Sequence, residues 1–208
     1  MRCPKSRGWR FRVKNKAFLL STQIAVMVLA LSSVSVAEGP RSTTLKGTIN
    51  DYNPFAMGGY EIRGTWSLEV YPNFDAVDFR AALNMEHSDL WMIANKTTDT
   101  TLRDQHTHHF TMTNARVISD PHYVAANCPT AHFAVAATTT GFVVVGMAST
   151  TGNGGNAPFA PDGEKSQLMV CITGSNEVPF SNITLTFAPG SKASNHFGTV
   201  PINGVVRH

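Results

Sequence analysis

Tyr60-Glu61-Ile62-Arg63-Gly64-Thr65-Trp66-Ser67-Leu68-Glu69-Val70 decides the fold class. Tyr60, Ile62, Trp66, Leu68 and Val70 share one parity, and Glu61, Arg63, Thr65, Ser67 and Glu69 share the other. A period of two puts successive side chains on opposite faces of a strand, so one face is dry and the other wet. The stretch 77–86 repeats the pattern: Val77, Phe79, Ala81, Leu83 and Met85 alternate with Asp78, Arg80, Asn84 and Glu86. Between the two, Tyr71-Pro72-Asn73-Phe74-Asp75 is turn chemistry. Two such alternations joined by a short turn read as an antiparallel hairpin.

Further strand patterns cover residues 44–49, 89–94, 105–117, 131–138, 141–150, 167–173, 182–187 and 198–206. They are rich in Thr and Val, which suit a pleated, half-buried surface. No segment carries the period of a long amphipathic helix. Residues 152–163 begin Gly-Asn-Gly-Gly-Asn and contain Pro158 and Pro161, so they read as a flexible loop. Roughly eight to ten strands joined mostly by short turns predict an all-β domain, a single antiparallel barrel, with a two-sheet sandwich as the alternative. Either closure or sheet packing removes the exposed edges that such strands would leave. Gly64-Thr65-Trp66 resembles the short Gly-x-Trp signature of lipocalins. The likeness spans three residues, lends no site residues to this chain, and fits a core tryptophan on a strand.

Residues 1–37 have a different composition. Arg2, Lys5, Arg7, Arg10, Arg12, Lys14 and Lys16 form a basic head without an acid, an apolar stretch densest at 24–31 follows, and Ser35-Val36-Ala37 supplies a small-x-small cleavage pattern. This is the layout of a signal peptide, which predicts a mature domain of residues 38–208, secreted or periplasmic, with no membrane contact after cleavage. The whole chain has 17 Lys and Arg against 14 Asp and Glu, formally +3. All seven tag cations leave on cleavage, so ten bases face fourteen acids, formally −4. No basic run with interleaved aromatics remains, which argues against nucleic acid as a partner. Cys128 and Cys171 are left as an even pair, expected to form a disulfide in an oxidising compartment.

His106-Thr107-His108-His109 is the sharpest chemical feature. In a strand His106 and His108 share a face, and His109 takes the opposite one. Two imidazoles so placed can converge on one divalent metal, zinc or copper, at about 2.0 to 2.1 Å each. His106 and His108 share parity with Phe110 and Met112, so the pair should point inward near one end. The parity then flips to Ala115 and Val117, which predicts a bulge near residue 113. A third ligand is needed. His87 continues the inward parity of 77–85 and ranks first, ahead of His196 and then His132. The offset carboxylate of cupins is missing, as are an H-E-x-x-H helix, a G-x-S-x-G elbow and a P-loop. The competing functional reading is a non-catalytic barrel that holds a small apolar ligand lined by Phe79, Leu83, Met85, Phe110 and Met112. A third is a surface or structural β-domain. Whether the chain is an enzyme, and its oligomeric state, do not follow from these patterns.

Overall fold

The computed structural model describes residues 42–53, 59–128, 140–153, 158–174 and 180–207. The tag at 1–37 and the stretch 131–138 with His132 lie outside them. Eight strands form one closed antiparallel barrel: β1 Thr43–Asn53, β2 Tyr60–Val70, β3 Ala76–His87, β4 His106–Ile118, β5 Thr140–Asn153, β6 Glu164–Gly174, β7 Asn182–Phe187 and β8 Ile202–Arg207. Each strand pairs with the next, and β8 returns to β1, so the barrel prevails over the sandwich. In such a meander the β1–β2, β3–β4, β5–β6 and β7–β8 connections all leave from one end. His106 and His108 at the start of β4, and His196 in the β7–β8 connection, lie at that end.

The alternation works as the sequence predicts. Val77, Phe79, Ala81, Leu83 and Met85 are buried, and Arg80 and Asn84 are exposed. The inward side chains form one contiguous core, with Phe79, Phe110, Phe142, Phe187 and Phe197 among its largest members. Burying each such ring stabilises the fold by about 1.5–3 kcal/mol. The wet outer face and dry interior are the reverse of a barrel whose outside meets lipid. Among the described residues no helix is long and apolar enough to cross a membrane.

Trp66 seals the closure. Its indole N–H donates to the Val205 carbonyl at 3.2 Å, reaching over Gly47 of β1 to β8. A Cβ on Gly47 would stand 1.8 Å from that same carbonyl oxygen. Only glycine permits the approach. The parity flip in β4 is a bulge: Phe79 pairs with Met112 but Val77 pairs with Ala115, so three steps on β4 match two on β3. Asn114 takes φ 50°, and its backbone N–H donates to Asp78 Oδ1 at 2.9 Å.

One expected strand is corrected. Asp89–Ala94 is a helix, α1. The short apolar run Leu90, Trp91, Met92, Ile93 fits either element, and Ser88 tips it to helix: its side chain caps the helix by accepting from the Trp91 N–H at 3.2 Å. The pattern at 198–206 is likewise shortened, since β8 begins at Ile202. Two more short helices occur. α2, Pro121–Asn127, packs Val124 against Val143 on the outer wall, where the Cys128–Cys171 disulfide ties it to β6. α3, Lys192–Phe197, is capped by Ser191 and turns its Ala193, Ser194, His196 and Phe197 into the interior.

Candidate metal centre

His106 and His108 open β4 and project inward from it, as their parity requires, with 2% and 0% exposure. Opposite them α3 delivers His196, buried to 3%, from its last turn. The three rings meet through their Nε2 atoms. His196 Nε2 lies 3.2 Å from His106 Nε2 and 2.9 Å from His108 Nε2. One donor atom from each residue falls within 4.8 Å of the others. Four-coordinate zinc with N ligands at 2.0–2.1 Å separates those ligands by about 3.3 Å. The two contacts made by His196 Nε2 are close to that separation.

The loop before β4 fixes the first ring. Asp104 adopts a left-handed conformation, φ 50°, ψ 47°, which a short polar side chain tolerates. Its carbonyl accepts from His106 Nδ1 at 2.5 Å, and its carboxylate accepts from the Tyr60 hydroxyl at 2.6 Å. A proton held on Nδ1 leaves the Nε2 lone pair facing the other two rings. Arg103 pairs with Asp89 at 2.5 Å, linking this turn to α1. Burial first, then the Asp104 hydrogen bond, pushes the Tyr60 hydroxyl above its ordinary range and keeps it a neutral donor.

An aromatic cage surrounds the second and third rings. Phe159 and Phe197 stand edge-on to His108, with centroids at 5.3 and 4.8 Å. Asn53 Nδ2 donates to the Phe197 carbonyl at 2.5 Å and holds the end of α3. Burial, followed by the neighbouring His196 and His106, brings His108 down to about 3. Burial, followed by His106, brings His196 down to about 4. Both rings are therefore neutral at physiological pH. His108 Nδ1 is buried without a partner of good hydrogen-bond geometry, although the Thr151 backbone is close enough to favour the charged ring slightly.

No protein-family model, curated protein or solved structure matches this chain.

His87 does not join the cluster. Its inward parity is as expected, but its depth is not. His106 pairs with Met85, so His87 lies one inward position nearer the mouth. There it is stacked between Tyr60 and Trp91, at 4.2 and 3.8 Å, and the Tyr60 ring intervenes before His106. The third position belongs to His196, which the parity of β3 could not reveal. The signal for it was local: Ser191 and Gly198 bracket a six-residue helix that places His196 on the buried face. Tyr60, Asp104, Phe159 and Phe197 are the supporting residues that spacing alone missed, because their roles depend on contacts between distant segments. Phe79, Leu83, Met85, Phe110 and Met112 are each 1% exposed or less and pack into the core.

Proposed function

We propose that this chain is an exported barrel whose function is carried by one divalent metal ion, zinc or copper, held by His106, His108 and His196. The observation that supports it most is the meeting of three Nε2 atoms with too few protons to bond them. The Asp104 carbonyl holds the His106 proton on Nδ1, so Nε2 of that ring is a lone pair. His196 Nε2 can donate to one neighbour only, while both stand within 3.2 Å. If His108 also turns a lone pair inward, its proton sits on Nδ1, with the Thr151 backbone nearby. A shared cation satisfies all three lone pairs at once, and imidazole suits zinc and copper.

Three imidazole ligands would leave such an ion with an open coordination position, the arrangement of catalytic rather than structural sites. Bound there, the ion would act as a Lewis acid. The chain's own residues supply the rest. Asp104 orients His106, Tyr60 orients Asp104, and Phe159 and Phe197 keep the second and third rings in an apolar surround. Residues 1–37 serve export in this reading, and the Cys128–Cys171 bridge is consistent with it.

The test is metal analysis of untagged mature protein after exposure to equimolar zinc or copper. One equivalent is expected, lost in His108→Ala and in His196→Ala and retained in His87→Ala and His109→Ala. Far-UV circular dichroism of each variant separates loss of ligand from loss of fold. Metal content unchanged in folded His196→Ala would overturn the assignment.

A further inference from the structure

His109 is the histidine of the His106–His109 run that the metal centre does not use. It points outward, into a second cluster on the barrel wall. The strand register lays a belt of outward positions there: Arg207 faces Lys46 across the seam, Lys46 faces Ser67, Ser67 faces Arg80, and Arg80 faces Thr111. The adjoining belt contains Thr48, Thr65, Ala82 and His109. Lys46, Arg80, His109 and Arg207 are exposed. With Thr65, Ser67 and Thr111 they rim a hollow of about 500 Å³, deepened where Ala82 carries only a methyl group.

Among the described residues, Lys46, Arg80 and Arg207 enter no ion pair. The carboxylates one belt away face other partners: Glu69 accepts from Ser42 Oγ at 2.8 Å, and Asp78 accepts from the Asn114 N–H at 2.9 Å. Three clustered cations without an ion pair among the described residues stand out in residues 38–208, whose formal charge is −4. Glu69 and Asp78 close the patch on one side, while on the other the belt of Arg63 and Asn84 comes before Glu61 and Glu86. An extended polyanion would run into Glu69 and Asp78, whereas a compact anion would not.

We propose that this hollow binds a tetrahedral oxyanion, phosphate or sulfate, free or carried as the monoester of a small sugar. Arginine presents a planar fork of donors to such an anion, and lysine adds a point charge. The Thr65, Ser67 and Thr111 hydroxyls supply donors and acceptors for a polyhydroxy body. The site is separate from the metal centre, because His109 and the belts point to the opposite face of β4 from His106 and His108.

Isothermal titration of untagged protein at low ionic strength tests it, with inorganic phosphate, inorganic sulfate, glucose 6-phosphate and glucose as probes. The expected result is saturable one-to-one binding of the anions and none of glucose. Arg80→Ala and Lys46→Ala should each weaken anion binding roughly tenfold while leaving the melting temperature and metal content unchanged. Equal affinity for inorganic phosphate and glucose 6-phosphate assigns the free ion as ligand, and tighter binding of the ester assigns the ester. Anion binding lost in His108→Ala but kept in Arg80→Ala and Lys46→Ala would move the anion to the metal centre and overturn the inference. So would the absence of saturable heat up to roughly 10 mM ligand.

Discussion

Tyr60, Asp104 and His106 form a chain of contacts in which each residue fixes the next. Removing its outer member tests whether that chain serves the metal. Tyr60→Phe keeps the ring that stacks on His87 and deletes only the hydroxyl that donates to Asp104. Zinc affinity, read by competition with a chromophoric chelator, should fall about tenfold, since outer-shell partners orient ligands at that scale. Stability should fall by only about 1 kcal/mol, the net worth of one hydrogen bond. An unchanged affinity would make the hydroxyl purely structural. The depressed pKa values give a second residue-scale prediction. His108, at about 3, and His196, at about 4, stay neutral in the folded protein through a range where their unfolded counterparts, near 6.5, take up protons. The unfolded state then binds more protons, so stability rises with pH across that window and is lost as pH falls below 6.5. Between pH 7 and 5 metal-free protein should lose up to about 2 kcal/mol per ring, measured as a falling denaturant midpoint. His196→Asn should flatten that dependence, and an equal slope in the variant would show that other groups control it. The His106–His108 pair was legible from parity because the pair and the core share one face of a strand. The third histidine of the cluster was not, because parity reports which face a residue occupies and says nothing of its depth along the barrel.

Among the elements, β2 and β3 were legible throughout because one face of each meets the core and the other meets water. The bulge in β4 was also legible, since an extra residue must invert the parity of everything after it. Asp89–Ala94 was not: a short apolar run fits strand or helix alike, and the Ser88 cap together with the position after the end of β3 favours a helical turn and a half. Closure was also hidden. That β1 and β8 meet depends on the summed twist and register of all the strands, although the glycine that permits the meeting is visible once they are adjacent. The seam carries its own prediction. Gly47→Ala sets a methyl 1.8 Å from the Val205 carbonyl oxygen and 2.8 Å from the Trp66 indole nitrogen, so either β8 or the indole must move. The loss should be about 3 kcal/mol or more, at the upper end for overpacked sites. It should appear as a lower urea midpoint and, in amide hydrogen exchange, as faster exchange along β8 than along β3. Uniform exchange across all strands would mean that the seam is no weaker than the rest of the wall.

In the whole molecule the two ends of the barrel are built differently. The histidine cluster gathers where the β3–β4 and β7–β8 connections converge. α2 and its disulfide belong to the β4–β5 connection, which leaves from the opposite end. Cys128 and Cys171 are 43 residues apart, with Cα atoms at 5.7 Å. Restricting a loop of that size in the unfolded chain stabilises the fold by about 4 kcal/mol in the chain-entropy model, an upper-end figure. A domain of this length shifts its melting temperature by about 2–4 °C per kcal/mol. Reduction, or the double change Cys128→Ala with Cys171→Ala, should therefore lower the melting temperature by about 8–16 °C. The barrel core does not depend on the bridge, because Cys171 faces α2 outside the wall and belongs to a separate apolar cluster with Val124 and Val143. The reduced protein should accordingly remain folded at 25 °C and keep its full metal equivalent. If reduction released the metal in step with the loss of stability, the two ends would be coupled through the wall. If it left the melting temperature unchanged, α2 would be held by the packing of Val124 alone.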